Sequence, residues 1–453
     1  MQSNLSVDLD EVAKILSETL GDNRVTKEHF NGLETAEMGD AGFHRYDVVR
    51  VRIETEDQVA EVLKAASAYQ WRVLPVGAGS QLHATHLGAG VDILLDLTSL
   101  NQIIDYSPED MVVSVQAGVT LTNLQELLST HKQMLPLDPV CRPGATLGGL
   151  IATAANGPRR TGYGTFRDVV AGVRVVYPSG DIMNFGGRVM KNVAGYDMTK
   201  LFIGSFGTLA VIVEAHLKLK PLPLHRETVT MQGRREDLKI LQKRLVHSSL
   251  LPTRLEAVSS RVFQNGILSR SQIHHPWLLA IDCDENASAA AYQTSQLRTW
   301  ADEMGLSIDV FQGVSADDLW THYQESLLGF DFVLRLNIAP TLLWQIVTPL
   351  EKILGEAEGE GVFSLGMTTG VGRLYGKGLS FKVQEELVQQ ARGLVSEYAG
   401  SVVIEKAEPW LQEKVDVFGS IGDFQPWLQR IKDAIDPQNI LSPGRFVGGM
   451  KNA

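Results

Sequence analysis

A short apolar run, Val73 to Val76, leads directly into Gly77-Ala78-Gly79-Ser80-Gln81-Leu82, and this junction constrains the fold more than any other feature. Residues this small leave several backbone N–H groups free to converge on an anion, which makes a nest for a diphosphate. The stretch Pro75, Val76, Gly77, Ala78, Gly79, Ser80, Gln81 and Leu82 is not a Rossmann fingerprint. Leu82 stands where the third glycine belongs, and no helical pattern follows. Taken alone, an ordinary glycine turn is the commoner explanation. Just upstream, Val48 to Ile53 reads as a strand, and Thr55-Glu56-Asp57-Gln58 has the spacing of a capping box. Val59, Val62, Leu63 and Ala66 then supply the apolar stripe of a helix.

Three further stretches carry candidate chemistry. Pro143, Gly144, Ala145, Thr146, Leu147, Gly148 and Gly149 open a helix of small residues that continues to Asn156 and Gly157. Its first N–H groups suit a phosphate, and its small side chains let a flat ring approach the backbone. Close helix packing is the alternative. Arg159 and Arg160, beside Gly162, Tyr163 and Gly164, suit a carboxylate or phosphate, or else a solvated turn. Finally, Lys191 can place positive charge near a cofactor or anionic substrate, and Tyr196 can donate a hydrogen bond or stack.

The remainder of the chain sets limits. A formal net charge of −12 argues against a nucleic-acid partner. Two cysteines, Cys141 and Cys283, are too few for a disulfide framework or an iron–sulfur cluster, and point to a reducing, cytoplasmic compartment. No uncharged apolar run is long enough to span a bilayer, and Asp8, Asp10, Glu11 and Glu18 break up any leader-like segment. After Pro221-Leu222-Pro223, strands and helices alternate in a way that suits an antiparallel sheet with helices on one face. The expected organisation is α+β, with domains at 1–220 and 221–410 and a tail, 411–453, that returns to the first. The tail holds an amphipathic helix (Trp427, Ile431, Ile435) and then DPQNILSPGRFV.

Four motifs in order carry a resemblance: PVGAGSQL, PGATLGGLIATAANGPRRTGYGTFRDVV, VMKNVAGYDMTKLFIGSFGTLAVIVE and DPQNILSPGRFV. Together they resemble the PCMH-type FAD-binding domain of the vanillyl-alcohol-oxidase-like flavoproteins. GPRR and VMKNVAGYD are most similar to the FAD-binding subunit of glycolate oxidase (glycolate dehydrogenase). The resemblance implies two α+β subdomains holding FAD, plus a cap domain. It places the FAD diphosphate on Gly77 to Ser80 and on the backbone around Pro143 to Gly149. Asn156, Gly157, Gly162 and Tyr163 would line the flavin side, with Gly207, Val211 and Val213 contacting the cofactor and Ser442 closing the pocket. Lys191 or Arg160 would tune the flavin, with Tyr196 as a candidate proton acceptor. Gly79 stands where some relatives carry a histidine that tethers FAD, so noncovalent FAD is expected; His83 and His86 read as polar loop histidines rather than tethers, and Cys141 as a half-buried structural thiol. No metal site is expected, since the H-G-D-G-N-x-H motif of catalytic relatives is missing. The implied function is oxidation of a small 2-hydroxy acid, glycolate to glyoxylate, within a complex containing a catalytic FAD subunit and an iron–sulfur subunit. Any membrane association would run through those partners. The alternatives are a non-catalytic electron-relay subunit and a stand-alone D-lactate-type dehydrogenase.

Overall fold

The computed structural model describes residues 7–30, 46–82, 90–187, 196–264, 268 and 273–447. Its class is α+β, built on three main sheets. The first has the order Val25–Phe30, Tyr46–Arg52, Ile93–Asp96, Val73–Val76, with the last two pairings parallel. Its core is closed by the helices Leu9–Leu20 and Glu56–Tyr69. The second helix starts where its sequence dictates. Thr55 accepts from the Gln58 N–H, and the Gln58 side chain reaches back to the Thr55 N–H.

The second sheet is antiparallel, in the order Ile103–Ser107, Val112–Gln116, Val211–Lys218, Val170–Val176, Ile182–Gly186. Helices Leu121–Ser129 and Leu147–Thr153 bury Leu124, Leu128, Leu147, Leu150 and Ile151 against it. Thr120 caps the former by accepting from the Asn123 N–H at 3.1 Å.

The third sheet has eight antiparallel strands and spans His225 to Lys406. Its outer face packs on Arg235–Val246, Ala287–Met304, Leu343–Glu356 and Phe381–Ser396. Helices were expected on one face only. A fifth, Val314–Leu328, lies on the other, where Leu319, Trp320, Tyr323 and Leu327 pack on Val258, Leu278 and Ala280. That second face is the one turned toward the glycine-rich half of the chain. The tail then returns: Val73 N–H donates to Ile440 C=O and Ser442 N–H to Val73 C=O, both at 2.8 Å.

Candidate functional site

Two adjoining clefts form, one among the first two sheets and the tail and one where these meet the third sheet. One is a cradle lined by Pro75, Val76, Gly77, Ala78, Gly79, Ser80, Gln81 and Leu82, faced by Thr146, Gly148, Gly149, Gly207 and Val211. Strand Val73–Val76 delivers the loop, and Gly79 takes φ +72°, which an L side chain adopts only under strain. A Cβ on Gly77 would lie 2.0 Å from Thr146 Oγ1, and one on Gly148 would lie 2.7 Å from Ala117 Cβ. Gly77 is therefore pressed against the second glycine stretch and Gly148 against Ala117, and a larger residue at either would collide with its neighbour. The helix Leu147–Thr153 is pinned by Leu147 N–H to Val119 C=O and Gly148 N–H to Ala117 C=O, each 2.8 Å. Across the cradle, Ser442 donates to Gly207 C=O at 3.1 Å and steadies a turn in which Gly207 has φ +68°. Arg445, 4% exposed, also lines it, donating to the carbonyls of Gln81 and Leu82 at 3.4 and 3.2 Å. This cation lies inside the quoted DPQNILSPGRFV motif, and its charge next to a glycine nest was the signal available.

The second cleft shares Ser80, Gln81, Thr153 and Phe206 with the cradle and is closed by the third sheet. Along Phe332–Asn337 the alternation of a strand sends Phe332, Leu334 and Leu336 into the outer core and Val333 and Arg335 to the cleft. Arg335 lies directly across from Arg373 in the antiparallel register. Like charges so opposed repel, and Glu405 on the adjoining strand offsets this. Its Oε2 accepts from Arg373 Nε at 2.7 Å, and its Oε1 from Arg335 Nη1 at 3.1 Å. Arg373 also reaches Asn156 C=O at 3.4 Å. The pair keeps one net positive charge, facing a cleft that Asn156 and Lys406 also line. None of these cap residues was singled out from the sequence, since no local motif surrounds them.

The remaining expected site residues are more scattered. Ala145 is buried in the second core and Val213 in the first. Neither they nor Pro143 and Gly144 line the two clefts. Gly157 packs on Asp138 and Gly162 on Thr253, where a Cβ would come within 1.8 and 2.8 Å. Gly157 serves a close approach within the first half, and Gly162 one between the two halves. Tyr163 lines a separate, wide cleft with Gly162 and Asp284, and burial pushes its phenol up to about 12. Arg160 is half-buried behind the second cleft. Burial, with repulsion from Arg373 and Arg335, lowers its guanidinium below the ordinary value. Tyr196 is 93% exposed and lines neither cleft. Lys191, His83 and His86 lie outside the described residues. Cys141 lines the second cleft, and burial raises its thiol to about 11. Among the described residues no group of three or more His, Cys, Asp or Glu comes together to hold a metal ion. No described helix is long and apolar enough to cross a membrane.

Comparison with known proteins bears on this geometry. Residues 48–186, which include both glycine stretches, match the FAD binding domain family. The mitochondrial D-lactate dehydrogenase [cytochrome] of Arabidopsis thaliana is 36% identical over 171 residues, 38% of this chain and 30% of that protein. Glycolate oxidase subunit GlcE of Escherichia coli is 40% identical over 130 residues, 28% of this chain and 37% of GlcE. These alignments thus span about a third of each relative. A D-2-hydroxyglutarate dehydrogenase of Xanthomonas citri aligns over 86% of the chain and 87% of its own length at 24% identity. Among solved structures, p-cresol methylhydroxylase with substrate bound superposes with a TM-score of 0.75 at 15% identity, covering 96% of both chains. The fold is therefore that of the vanillyl-alcohol-oxidase/PCMH-type FAD-binding proteins. The cofactor is FAD, and the Gly77–Gly148 cradle with Arg445 at its rim fits it.

Proposed function

We propose that this chain is an FAD-dependent oxidoreductase acting on a small 2-hydroxy acid, as the FAD-binding subunit of a glycolate-oxidase-type complex. The observation that carries the reading is the Arg335–Glu405–Arg373 cluster, set in a cleft that opens onto the FAD cradle. The names of the relatives, which act on D-lactate, glycolate or D-2-hydroxyglutarate, agree with it.

Residues 75–82, Thr146, Gly148, Gly149 and Gly207 would hold the dinucleotide, with the Arg445 guanidinium offsetting diphosphate charge. Bound FAD supplies a two-electron acceptor for oxidation of the hydroxyl-bearing carbon. The chain's own residues supply position. Arg335 and Arg373 present N–H donors to a carboxylate, and planar guanidinium groups suit that partner. Glu405 holds both cations in place before substrate arrives, so little ordering remains to be done on binding. The buried walls exclude water and strengthen these contacts.

A second reading is supported by one feature: no histidine is among the described residues lining either cleft. In it the chain relays electrons between a catalytic flavoprotein subunit and an iron–sulfur subunit. An anaerobic visible spectrum of the purified, FAD-loaded chain separates the two. Prompt bleaching by a 2-hydroxy acid is expected if the chain carries the active site. A spectrum that stays oxidised until partner subunits are added selects the relay, and a chain that takes up no FAD overturns both.

A further inference from the structure

Resting on that reading, we propose that the acid this cleft accepts carries an apolar side chain at C2, aliphatic and branched or aryl, and is neither glycolate nor a dicarboxylate. The cleft has a polar set of groups and an apolar wall. In the polar set two buried atoms lack a hydrogen-bond partner among the described residues, the Arg335 Nε–H and the Asn156 Oδ1. One is a donor and the other an acceptor, and both residues line the same cleft. A 2-hydroxy acid presents the complement, since its carboxylate accepts and its hydroxyl donates. Unpaired buried polar groups are costly, so a ligand that satisfies both at once is strongly selected.

Beside these groups runs an apolar wall, with Val333 and Tyr375 standing two residues from Arg335 and Arg373 on the same strands. Leu327, Phe330, Val333 and Tyr375 belong to one buried cluster, with Val140 packed against it. Their exposures are 2%, 9%, 7% and 3%, and the Phe330 and Tyr375 rings lie 5.8 Å apart. All of them line the cleft. The apolar wall, rather than charge, disfavours a second carboxylate, since Arg142 and Lys406 also line the cleft. Arg335 and Arg373 share Glu405, which leaves them one net positive charge. Lys406 Nζ already donates to Phe330 C=O at 2.5 Å. A second carboxylate laid against the Leu327 and Phe330 side chains would lose its water against apolar carbon. Glycolate, with only hydrogen at C2, would leave the wall uncovered. Each methylene buried there is worth roughly a fourfold gain in affinity.

The test is calorimetric titration of the oxidised, FAD-loaded chain with the corresponding 2-oxo acids, which bind without reducing the flavin. 4-Methyl-2-oxopentanoate is expected to bind at least about tenfold more tightly than glyoxylate or 2-oxoglutarate. Phe330→Ala, which shortens the wall, is expected to bring the first two affinities together, whereas Arg335→Met weakens both acids alike. Equal binding of glyoxylate, or tightest binding of 2-oxoglutarate, overturns the inference while leaving 2-hydroxy-acid oxidation intact. If no 2-oxo acid binds and no 2-hydroxy acid bleaches the flavin, the inference falls together with the reading beneath it.

Discussion

Glu256 sits on strand Arg254–Ser259 just behind the arginine cluster, 6% exposed, and its Oε2 accepts from Ser364 Oγ at 2.8 Å. Burial pushes its carboxyl up to about 7, against the opposing pull of the Ser364 hydroxyl and Arg373. Because the folded value lies above the unfolded one, the folded chain binds the extra proton between about pH 4.5 and 7. The associated stability is fully present below that window and is lost as pH rises through it. Asp284, raised to about 6 by burial and by Asp282, acts with the same sign. Glu256→Gln, which keeps the shape and removes the titration, is expected to flatten the decline, by on the order of 3 kcal/mol at pH 8. Denaturant titrations of both proteins at pH 5 and pH 8 check it; parallel declines would show that Glu256 is not the group responsible. Nothing in the sequence around Glu256 marks it. Its neighbours Ser364 and Arg373 lie more than a hundred residues away and arrive through strand pairing. Gly77 and Gly79 were legible because a nest is a local property of consecutive small residues, whereas Arg335, Arg373 and Glu405 depend on the register of three strands.

At the scale of elements, the tail illustrates how periodicity misleads at a surface. Trp427, Ile431 and Ile435 suggested the buried stripe of an amphipathic helix, yet Trp427 is 64% exposed. Within Gln425–Ile435 the buried side chain is Lys432, while Ile431 and Ile435 pack only partly buried on the second core. Lys432 Nζ bonds to Asp436 Oδ2 at 2.5 Å, to Thr208 C=O at 2.7 Å and to Leu441 C=O at 3.2 Å. Asp436 in turn accepts the N–H groups of Ile440 and Leu441 at 3.1 and 2.9 Å. One ammonium thereby fastens the returning segment beside strand Val73–Val76, which feeds the FAD cradle. Lys432→Met leaves Asp436 buried without its cation, and a loss of about 3–5 kcal/mol is expected. The measurement is a urea midpoint. Lys432→Met/Asp436→Asn should recover part of the loss, and a single variant as stable as the parent would remove the fastening role. The return of the tail was readable from its motif; the lysine was not, because a buried lysine has no pattern of its own.

At the scale of the whole molecule, the glycine-rich half and the third sheet meet across a buried ionic joint. Arg254 Nε donates to Asp138 Oδ2 at 2.8 Å, its Nη1 pairs with Asp282, and its guanidinium lies 4.6 Å from the Trp320 ring centre. Asp138 Oδ1 also accepts the Arg159 N–H at 2.8 Å, which ties the GPRR turn into the same joint. The paired arginines of that turn drew attention as anion ligands. Arg159 instead belongs to the joint, among Asp138, Asp282 and Asp284, and burial with repulsion from Arg254 lowers its guanidinium below the ordinary value. Pro139, Val140 and Cys141 follow Asp138 directly and form one wall of the second cleft, so the joint sets the width of that cleft. Arg254→Met strands three buried carboxylates against one remaining guanidinium. A stability loss of about 3–5 kcal/mol is expected, and FAD should remain bound because the cradle lies in the other half. Affinity for a 2-oxo acid should fall at the same time, since the Asp138 wall loses its anchor. Arg254→Lys is expected to rescue neither property, because an ammonium cannot bridge two carboxylates in a plane and stack on Trp320 together. Melting temperature, flavin content and acid titration on the two variants decide it. Loss of flavin in step with stability would mean that the joint supports the cradle itself, whereas retained flavin with weakened acid binding would assign it to the cleft.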